Sequence, residues 1–249
     1  MAAWPAGVGR IVLATTDSTM AEAARLGPTL AAPTWICALD QTAARGRRGR
    51  PWVNPKGNFS ASLILRPDGP PGQVALRSFV AALALRDALA AITGRPDALA
   101  LKWPNDVLLN GGKLAGILLE SAGQGGRVDT LVIGIGVNLA AAPDITELEA
   151  GAVAPVSLVG ETGVSITPEE FLDHLAPAYD DRERQFVTHG FAATRHAWLQ
   201  GAARLGQTLT ARTTRDTTTG TFTDVDMEGH LVLQTANGPA RIAAADIFF

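Results

Sequence analysis

The sequence predicts an α+β protein: a large domain over residues 1–203 in which strands and helices are mixed, followed by a small β-barrel over 204–249. Three observations point there. Short apolar or alternating runs bounded by Gly, Pro and Asn recur between Thr34 and Leu139 and read as strands. Two long stretches, Gln73 to Thr93 and Thr167 to His189, carry helix signals. After Gly201 the helical character gives way to a Thr-rich, β-like stretch with turns at Glu228-Gly229 and Asn237-Gly238.

In chain order, Thr19 and Glu22 read as a capping box at a helix start that Gly27-Pro28 end. Residues 34–40 form a strand and 41–58 a polar loop rich in Arg and Gly. Asn58 to Arg66 alternate as a strand, and a Pro/Gly turn covers 67–72. Gln73 to Thr93 is apolar around most of its circumference, so it reads as one buried helix ending at Gly94. Strands follow at Ala98 to Lys102, Asp106 to Asn110, Leu114 to Glu120 and Val128 to Leu139, with Asn110-Gly111-Gly112 as a hairpin turn. Thr167-Pro168-Glu169-Glu170 combines a cap, a first-turn proline and acids at the positive helix end. One helix runs from there to His189 and another from Phe191 to Gln200.

Composition narrows the function. With 249 residues, 47% hydrophobic and 18% charged, the chain can bury a sizeable core. A net charge of −3 means that any basic function is local. The single cysteine, Cys37, excludes an internal disulfide and sits in a strand-like run, so it reads as packing and the setting as a reducing one, the cytoplasm. There is no signal-peptide pattern, and Arg77, Arg86 and Asp87 interrupt the longest apolar stretch, so no membrane span is expected. The four histidines are scattered and read as surface or core positions, and Trp35 and Trp198 as core.

Two segments carry chemistry. The first, Gln41 to Trp52, holds Arg45, Arg47, Arg48 and Arg50 with Gly46 and Gly49. Arginine presents planar donors that match carboxylate and phosphate oxygens in pairs, and glycine lets backbone approach a ligand. Trp52 adds an aromatic face. Such a loop is expected to be mobile alone and to fold over an arriving anion. Taken alone it also fits a solvated basic turn or a nucleic-acid contact. The negative net charge and the lack of a second basic cluster weigh against nucleic acid.

The second segment is Lys102-Trp103-Pro104-Asn105-Asp106, followed by Lys113 in Gly112-Lys113-Leu114-Ala115-Gly116. Pro104 breaks the strand ladder and presents polar neighbours at a strand end. Two lysines, an amide and a carboxylate there could manage a triphosphate, with Asp106 holding a magnesium ion or receiving a proton. A surface hairpin with ordinary charges is the alternative. Gly112-Lys113 is no P-loop, since Leu114 and Val107 replace the required Ser/Thr and Gly. Gly134-Ile135-Gly136 is no dinucleotide fingerprint, since Leu139 takes the third glycine position.

Together and in this order, these segments resemble biotin protein ligases. The resemblance rests on Asp17 to Thr19, Ala44 to Trp52, Lys102 to Asp106, Gly112 to Leu118 and Gly134 to Asn138. It implies a mixed β-sheet with flanking helices, of the class II aminoacyl-tRNA synthetase-like kind, plus a small C-terminal SH3-like β-barrel. It implies that biotin is activated with ATP and Mg2+ to biotinyl-5′-AMP, then transferred to a lysine of a biotin carboxyl carrier protein or domain. By resemblance, Ser18, Thr19 and Gln41 serve the ureido ring of biotin. Arg45, Gly46, Arg47, Lys113 and Gly116 surround its carboxylate end. Arg48, Arg50, Trp52, Lys102, Asn105 and Asn138 serve ATP. Arg47, Lys113 and Asp106 carry the catalysis, with Asp106 on the metal side.

Two positions depart from the family pattern: Met20 stands where Asn is usual, and Ala44 where the loop often begins with Gly. Alanine at 44 strains the loop only if that position needs positive φ. The pattern starts at residue 17, which leaves no room ahead of it for the DNA-binding domain of repressor members. A homodimer through sheet edges is left open. The competing functions are a lipoate or octanoyl transfer protein of related fold, a nucleic-acid module and a ligand-binding remnant.

Overall fold

The computed structural model describes residues 3–144 and 151–249. The chain opens with β1 (Gly9–Leu13), α1 (Thr19–Leu26), β2 (Thr34–Ala38) and β3 (Phe59–Leu65). Helices α2 (Pro71–Ala75) and α3 (Arg77–Thr93) precede strands β4 (Leu99–Lys102), β5 (Asp106–Leu109), β6 (Gly112–Ala122) and β7 (Thr130–Val137). Then come α4 (Leu158–Thr162), α5 (Pro168–His189) and α6 (Phe191–Gln200). Strands β8 (Thr208–Arg212), β9 (Thr217–Val225), β10 (Leu231–Thr235), β11 (Gly238–Ile242) and β12 (Asp246–Phe248) complete it.

The first seven strands form one mixed sheet in the order β1-β2-β3-β7-β6-β5-β4. Only the β1–β2 pair is parallel; the neighbours from β2 to β4 run antiparallel. The last five form a separate antiparallel sheet, β11-β10-β9-β8-β12, of the expected SH3-like kind. Two of its turns fall at the two predicted glycines, Gly229 (φ 82°) and Gly238 (φ 103°).

Strand alternation decides what covers each face of the large sheet. Trp35 and Cys37 of β2, Ala61 and Leu63 of β3, and Ile133, Ile135 and Val137 of β7 join the main core beside α3 and α5. The opposite face carries Ile36, Ile64 and Val132, packed with Met20 and Ala23 of α1. Further along that face β7 offers only Gly134 and Gly136, and β6 offers Gly116 opposite Gly136. No side chain of the sheet rises from this stretch; Met20 of α1 lies on Gly134, and Trp52 from the loop after β2 lies on Gly136 and Gly116. Burial pushes the Cys37 thiol up to about 12, as suits a core position.

Several details differ from the sequence reading. Strand β1 was not foreseen: it is short, half-buried and held by its parallel partner. The stretch 73–93 is broken at Leu76, with α2 beginning earlier, at Pro71. The capping box at Thr19 and Glu22 is not formed. Ser18 is the N-cap and makes no side-chain cap bond. Thr19 Oγ1 instead accepts a hydrogen bond from Ser62 Oγ at 2.8 Å, and Glu22 accepts from Arg25 Nε at 2.9 Å. At α5 the expected cap forms and is a full capping box: Thr167 Oγ1 accepts from Glu170 N at 3.2 Å and Glu170 Oε2 accepts from Thr167 N at 2.9 Å.

Candidate active site

The glycine stretch of the sheet is the floor of a cleft of about 450 Å³. Glycine at 116, 134 and 136 keeps that floor low. A Cβ on Gly136 would lie 2.6 Å from Trp52 Cε2, and one on Gly134 would lie 2.6 Å from Met20 Sδ. The glycine run rejected as a dinucleotide fingerprint therefore has another use, the seating of two large side chains against a sheet. Met20, the departure from the family pattern, fills this floor and is buried.

One wall is polar and comes from the N-terminal part of α1 and the loop after β2. Gln41 Oε1 accepts from Thr19 N at 2.8 Å, which orients the glutamine amide. Because Thr19 Oγ1 accepts from Ser62, its own proton is free to be donated elsewhere. Ser60 Oγ lines the cleft, is buried and has no protein partner. A buried hydroxyl without a partner is costly unless an occupant supplies one. Ser18 completes the wall, and Asp17 beside it accepts from Ser18 N at 2.7 Å. Hydrogen bonds from the Arg25 guanidinium, then from Ser18 N, hold the Asp17 carboxyl well below the usual carboxylate range.

The arginine loop forms the roof. Gly46 N donates to Arg50 O at 2.7 Å and Trp52 N to Ala44 O at 3.0 Å, so the loop is a closed turn. Its left-handed residues are Arg48 (φ 56°) and Gly49 (φ 71°), not Ala44. The alanine at 44 thus carries no backbone strain. Trp52 lies on the floor glycines, with Lys113 Nζ 5.7 Å from its ring centre and its own Nε1 buried without a protein partner.

The charged end gathers residues from the strand turn. Lys113 Nζ is 2.7 Å from Asp106 Oδ1, and Lys102 Nζ is 3.8 Å from Asp106 Oδ2. Burial lowers the Lys102 pKa, with the Asp106 charge opposing. Burial likewise lowers that of Arg47, against the charges of Asp246 and Asp106. Arg47 Nη1 reaches Asn105 Oδ1 at 3.4 Å and the Ala245 carbonyl at 3.3 Å. The Asn105 amide also donates to Ile117 O at 2.6 Å, which ties the turn to β6.

The predicted residues Arg45, Gly46, Arg50 and Asn138 border the same cleft as those above. Asn138 is committed to structure, since Nδ2 donates to Val156 O at 3.0 Å and Oδ1 accepts from Asn58 Nδ2 at 3.5 Å. Arg48 does not line the cleft; it donates to Asp246 Oδ2 at 2.7 Å. That contact places it outside the expected ATP-binding set, because its guanidinium is held by the C-terminal sheet.

The expectation that Asp106 holds a metal does not fit these surroundings. Each of its oxygens faces an ammonium group, so the carboxylate is already neutralised. The other carboxylate at the cleft, Asp246, faces arginines. Among the described residues, the grouping that could hold an ion is Asp226, Glu228 and His230, none of which lines the cleft. Among the described residues, magnesium thus finds no fitting protein site at the cleft.

Sequence reasoning missed Ser60, Ser62 and Asp246. The two serines had a signal, since they alternate with Phe59, Ala61 and Leu63 on a buried strand. Asp246 had none.

Residues 12–138 match the biotin/lipoate A/B protein ligase family, and residues 205–249 match the biotin protein ligase C-terminal domain. The chain belongs to the biotin/lipoate A/B protein ligase family. Within that family it is 54% identical to the biotin–[acetyl-CoA-carboxylase] ligase of Paracoccus denitrificans, over 96% of this chain and 99% of that one. It is 36% identical to the bifunctional ligase/repressor BirA of Bacillus subtilis, over 86% of this chain and 65% of that one. Its fold matches the Aquifex aeolicus biotin protein ligase solved in complex with biotin and ATP, with a TM-score of 0.78 and 25% identity, covering 96% of this chain and 97% of that one.

Proposed function

We propose that the cleft performs two successive reactions of one biotin ligase. Biotin and ATP first form biotinyl-5′-AMP and pyrophosphate, and the biotinyl group then passes to one lysine of a carboxyl carrier domain, releasing AMP. The single observation that carries the reading is convergence. A polar wall suited to a neutral ring and a cationic end suited to anions share one cavity over a glycine floor.

Thr19, Gln41 and Ser60 supply hydroxyl and amide groups for the ureido ring of biotin, whose carbonyl accepts and whose N–H groups donate. The apolar ring and chain of biotin lie over the glycine floor, against Met20 and Trp52, and point the carboxylate toward Lys113 and Arg47. The carboxylate oxygen attacks the α-phosphorus of ATP, and the bond to the pyrophosphate oxygen breaks. Charge builds on the phosphate oxygens, and Arg47 and Lys113 are already placed to oppose it. Lys102 adds a third cation at the charged end, and Trp52 offers a face for adenine.

In the second reaction a neutral lysine amine attacks the acyl carbon and AMP leaves with the bonding pair. Asp106 holds Lys113 at 2.7 Å. Once Lys113 turns to the substrate, the freed carboxylate can orient the incoming amine and take its proton. The arginine loop keeps water from the mixed anhydride between the two reactions. We place the boundary between the catalytic and barrel units at 203/204, between α6 and β8. In this reading the enzyme works in the cytoplasm, and its acceptor is a biotin carboxyl carrier protein.

The test is incubation with biotin, magnesium-ATP and a biotin-acceptor domain, read by mass spectrometry. A gain of one biotinyl group on one lysine is expected, together with biotin-dependent exchange of pyrophosphate into ATP. No mass gain and no exchange, or an equal gain with lipoate, would overturn the reading.

A further inference from the structure

One carboxylate of the C-terminal sheet faces the arginine loop. Arg48 Nη1 lies 2.7 Å from Asp246 Oδ2, Arg50 Nη2 lies 2.8 Å from Oδ1, and Arg47 Nη1 lies 3.9 Å from Oδ1. The residue before it, Ala245, is fully buried and accepts from Arg47 through its carbonyl. Residues 245 and 246 therefore touch three of the loop's four arginines, across a sequence separation of 196 to 198 residues. The left-handed backbone at Arg48 turns its side chain away from the cleft and onto β12.

Trp52 on the floor and Arg47 at Asn105 hold the two ends of the loop, whereas Asp246 holds the outer side chains of Arg48 and Arg50. Three guanidinium groups within a few residues repel one another. Ordering it on substrate arrival would cost conformational entropy at that moment. A fixed carboxylate offsets both. Burial by itself would raise the pKa of Asp246, but the hydrogen bond from Arg50 and the charges of all three arginines outweigh it and hold the group ionised.

We infer that Asp246 is a positioning residue for the activation step: through Arg48 and Arg50 it holds the arginine loop over the cleft, so that Arg47 faces the reacting anions before they bind. Arg48 is then part of the tether rather than a nucleotide contact. The inference rests on the proposed ATP and biotin site beneath the loop. It makes the C-terminal sheet a working part of substrate binding.

The test compares the full-length native protein with Asp246→Asn, Asp246→Glu and Arg48→Gln. Asparagine keeps the shape and removes the charge. A tether acts on binding, so KM for ATP should rise roughly fivefold, a modest factor because both pairs are partly solvent-screened, while kcat for pyrophosphate exchange holds. Arg48→Gln should reproduce the effect, and the double variant should be little worse than either single one. Asp246→Glu should recover part of the loss. Hydrogen exchange should quicken at the amides of residues 46–52 in Asp246→Asn, with the melting temperature nearly unchanged.

Unchanged KM and unchanged loop exchange in both Asp246→Asn and Arg48→Gln would overturn the inference. So would a lower KM, which would mean that the carboxylate obstructs the loop. A kcat loss at constant KM would also count against it. Should Asp246→Asn fail to fold, Arg48→Gln carries the same comparison. Native protein that exchanges no pyrophosphate defeats the proposed function instead, and the exchange rates of the loop amides still report on the tether.

Discussion

Replacing Gly136 with alanine puts a methyl carbon 2.6 Å from Trp52 Cε2, 2.7 Å from Nε1 and 2.8 Å from Cζ2. Comfortable carbon contacts lie at about 3.5–4.0 Å, so the ring must retreat by roughly 1 Å. The sheet will not give way, because Gly136 sits between β3 and β6 in a continuous ladder. The backbone there is not in the left-handed region, so alanine is tolerated conformationally. The cost falls on the loop that carries Trp52. Overpacking of this kind costs about 1–3 kcal/mol. If adenine rests on that ring, KM for ATP rises roughly ten- to a hundredfold, at about 1.4 kcal/mol per decade. The melting temperature moves little. The assay is biotin-dependent pyrophosphate exchange at varied ATP, beside a thermal melt. A double variant sharpens it: in a Trp52→Ala background the Gly136→Ala penalty should vanish, since the clashing ring is gone. Persistence of the full penalty there would refute the placement of the nucleotide on Trp52.

Three further outcomes follow from other contacts. Lys113→Ala removes the ammonium that neutralises Asp106 and faces the reacting anions. By analogy with lost oxyanion donors it should cost roughly 2.7–4 kcal/mol in the activation step, read as a hundred- to thousandfold loss of pyrophosphate exchange. Ser62→Ala removes the donor to Thr19 Oγ1 in a fully buried position. It should lower stability by about 1 kcal/mol and raise KM for biotin while leaving KM for ATP unchanged, measured by chemical denaturation and by exchange at varied biotin. Cys37 gives a pH dependence. Its thiol is raised from an ordinary 9.0 to about 12 by burial, so above pH 9 the unfolded chain loses a proton that the folded chain keeps. Stability present below pH 9 is therefore lost as pH rises toward 12. Melts at about pH 8 and about pH 10.5 should fall more steeply for the native protein than for Cys37→Ala; the contribution of buried Tyr179, whose pKa burial also raises, is common to both.

Local patterns made much of the site readable in advance. Arginine, glycine and tryptophan between 44 and 52, and Lys-Trp-Pro-Asn-Asp at 102, each imply an anion or a strand break by their chemistry, and the structure brings both segments to one cavity. The cap of α5 was readable because Thr167 and Glu170 bond to each other within the segment. The same pattern at Thr19 and Glu22 failed because a tertiary partner, Ser62, lies 43 positions away and competes for the threonine hydroxyl. Floor glycines 134 and 136 were visible but not interpretable, since their purpose depends on where Trp52 lands. Asp246 was illegible for the strongest version of the same reason. A lone acid in a polar stretch gains its role only from arginines almost two hundred positions earlier.

That distance has a consequence for how the protein is made. Synthesis runs from the N-terminus, so the arginine turn leaves the ribosome long before β12, and contacts of such separation form late in folding. The seven-stranded sheet and its helices are complete in sequence by residue 200, yet Arg48 and Arg50 of the turn meet Asp246 only once β12 pairs with β8. A nascent chain stalled before residue 246 should therefore hold a nearly finished cleft whose roof lacks its last anchor, and full affinity for ATP should arrive only with the last few residues translated.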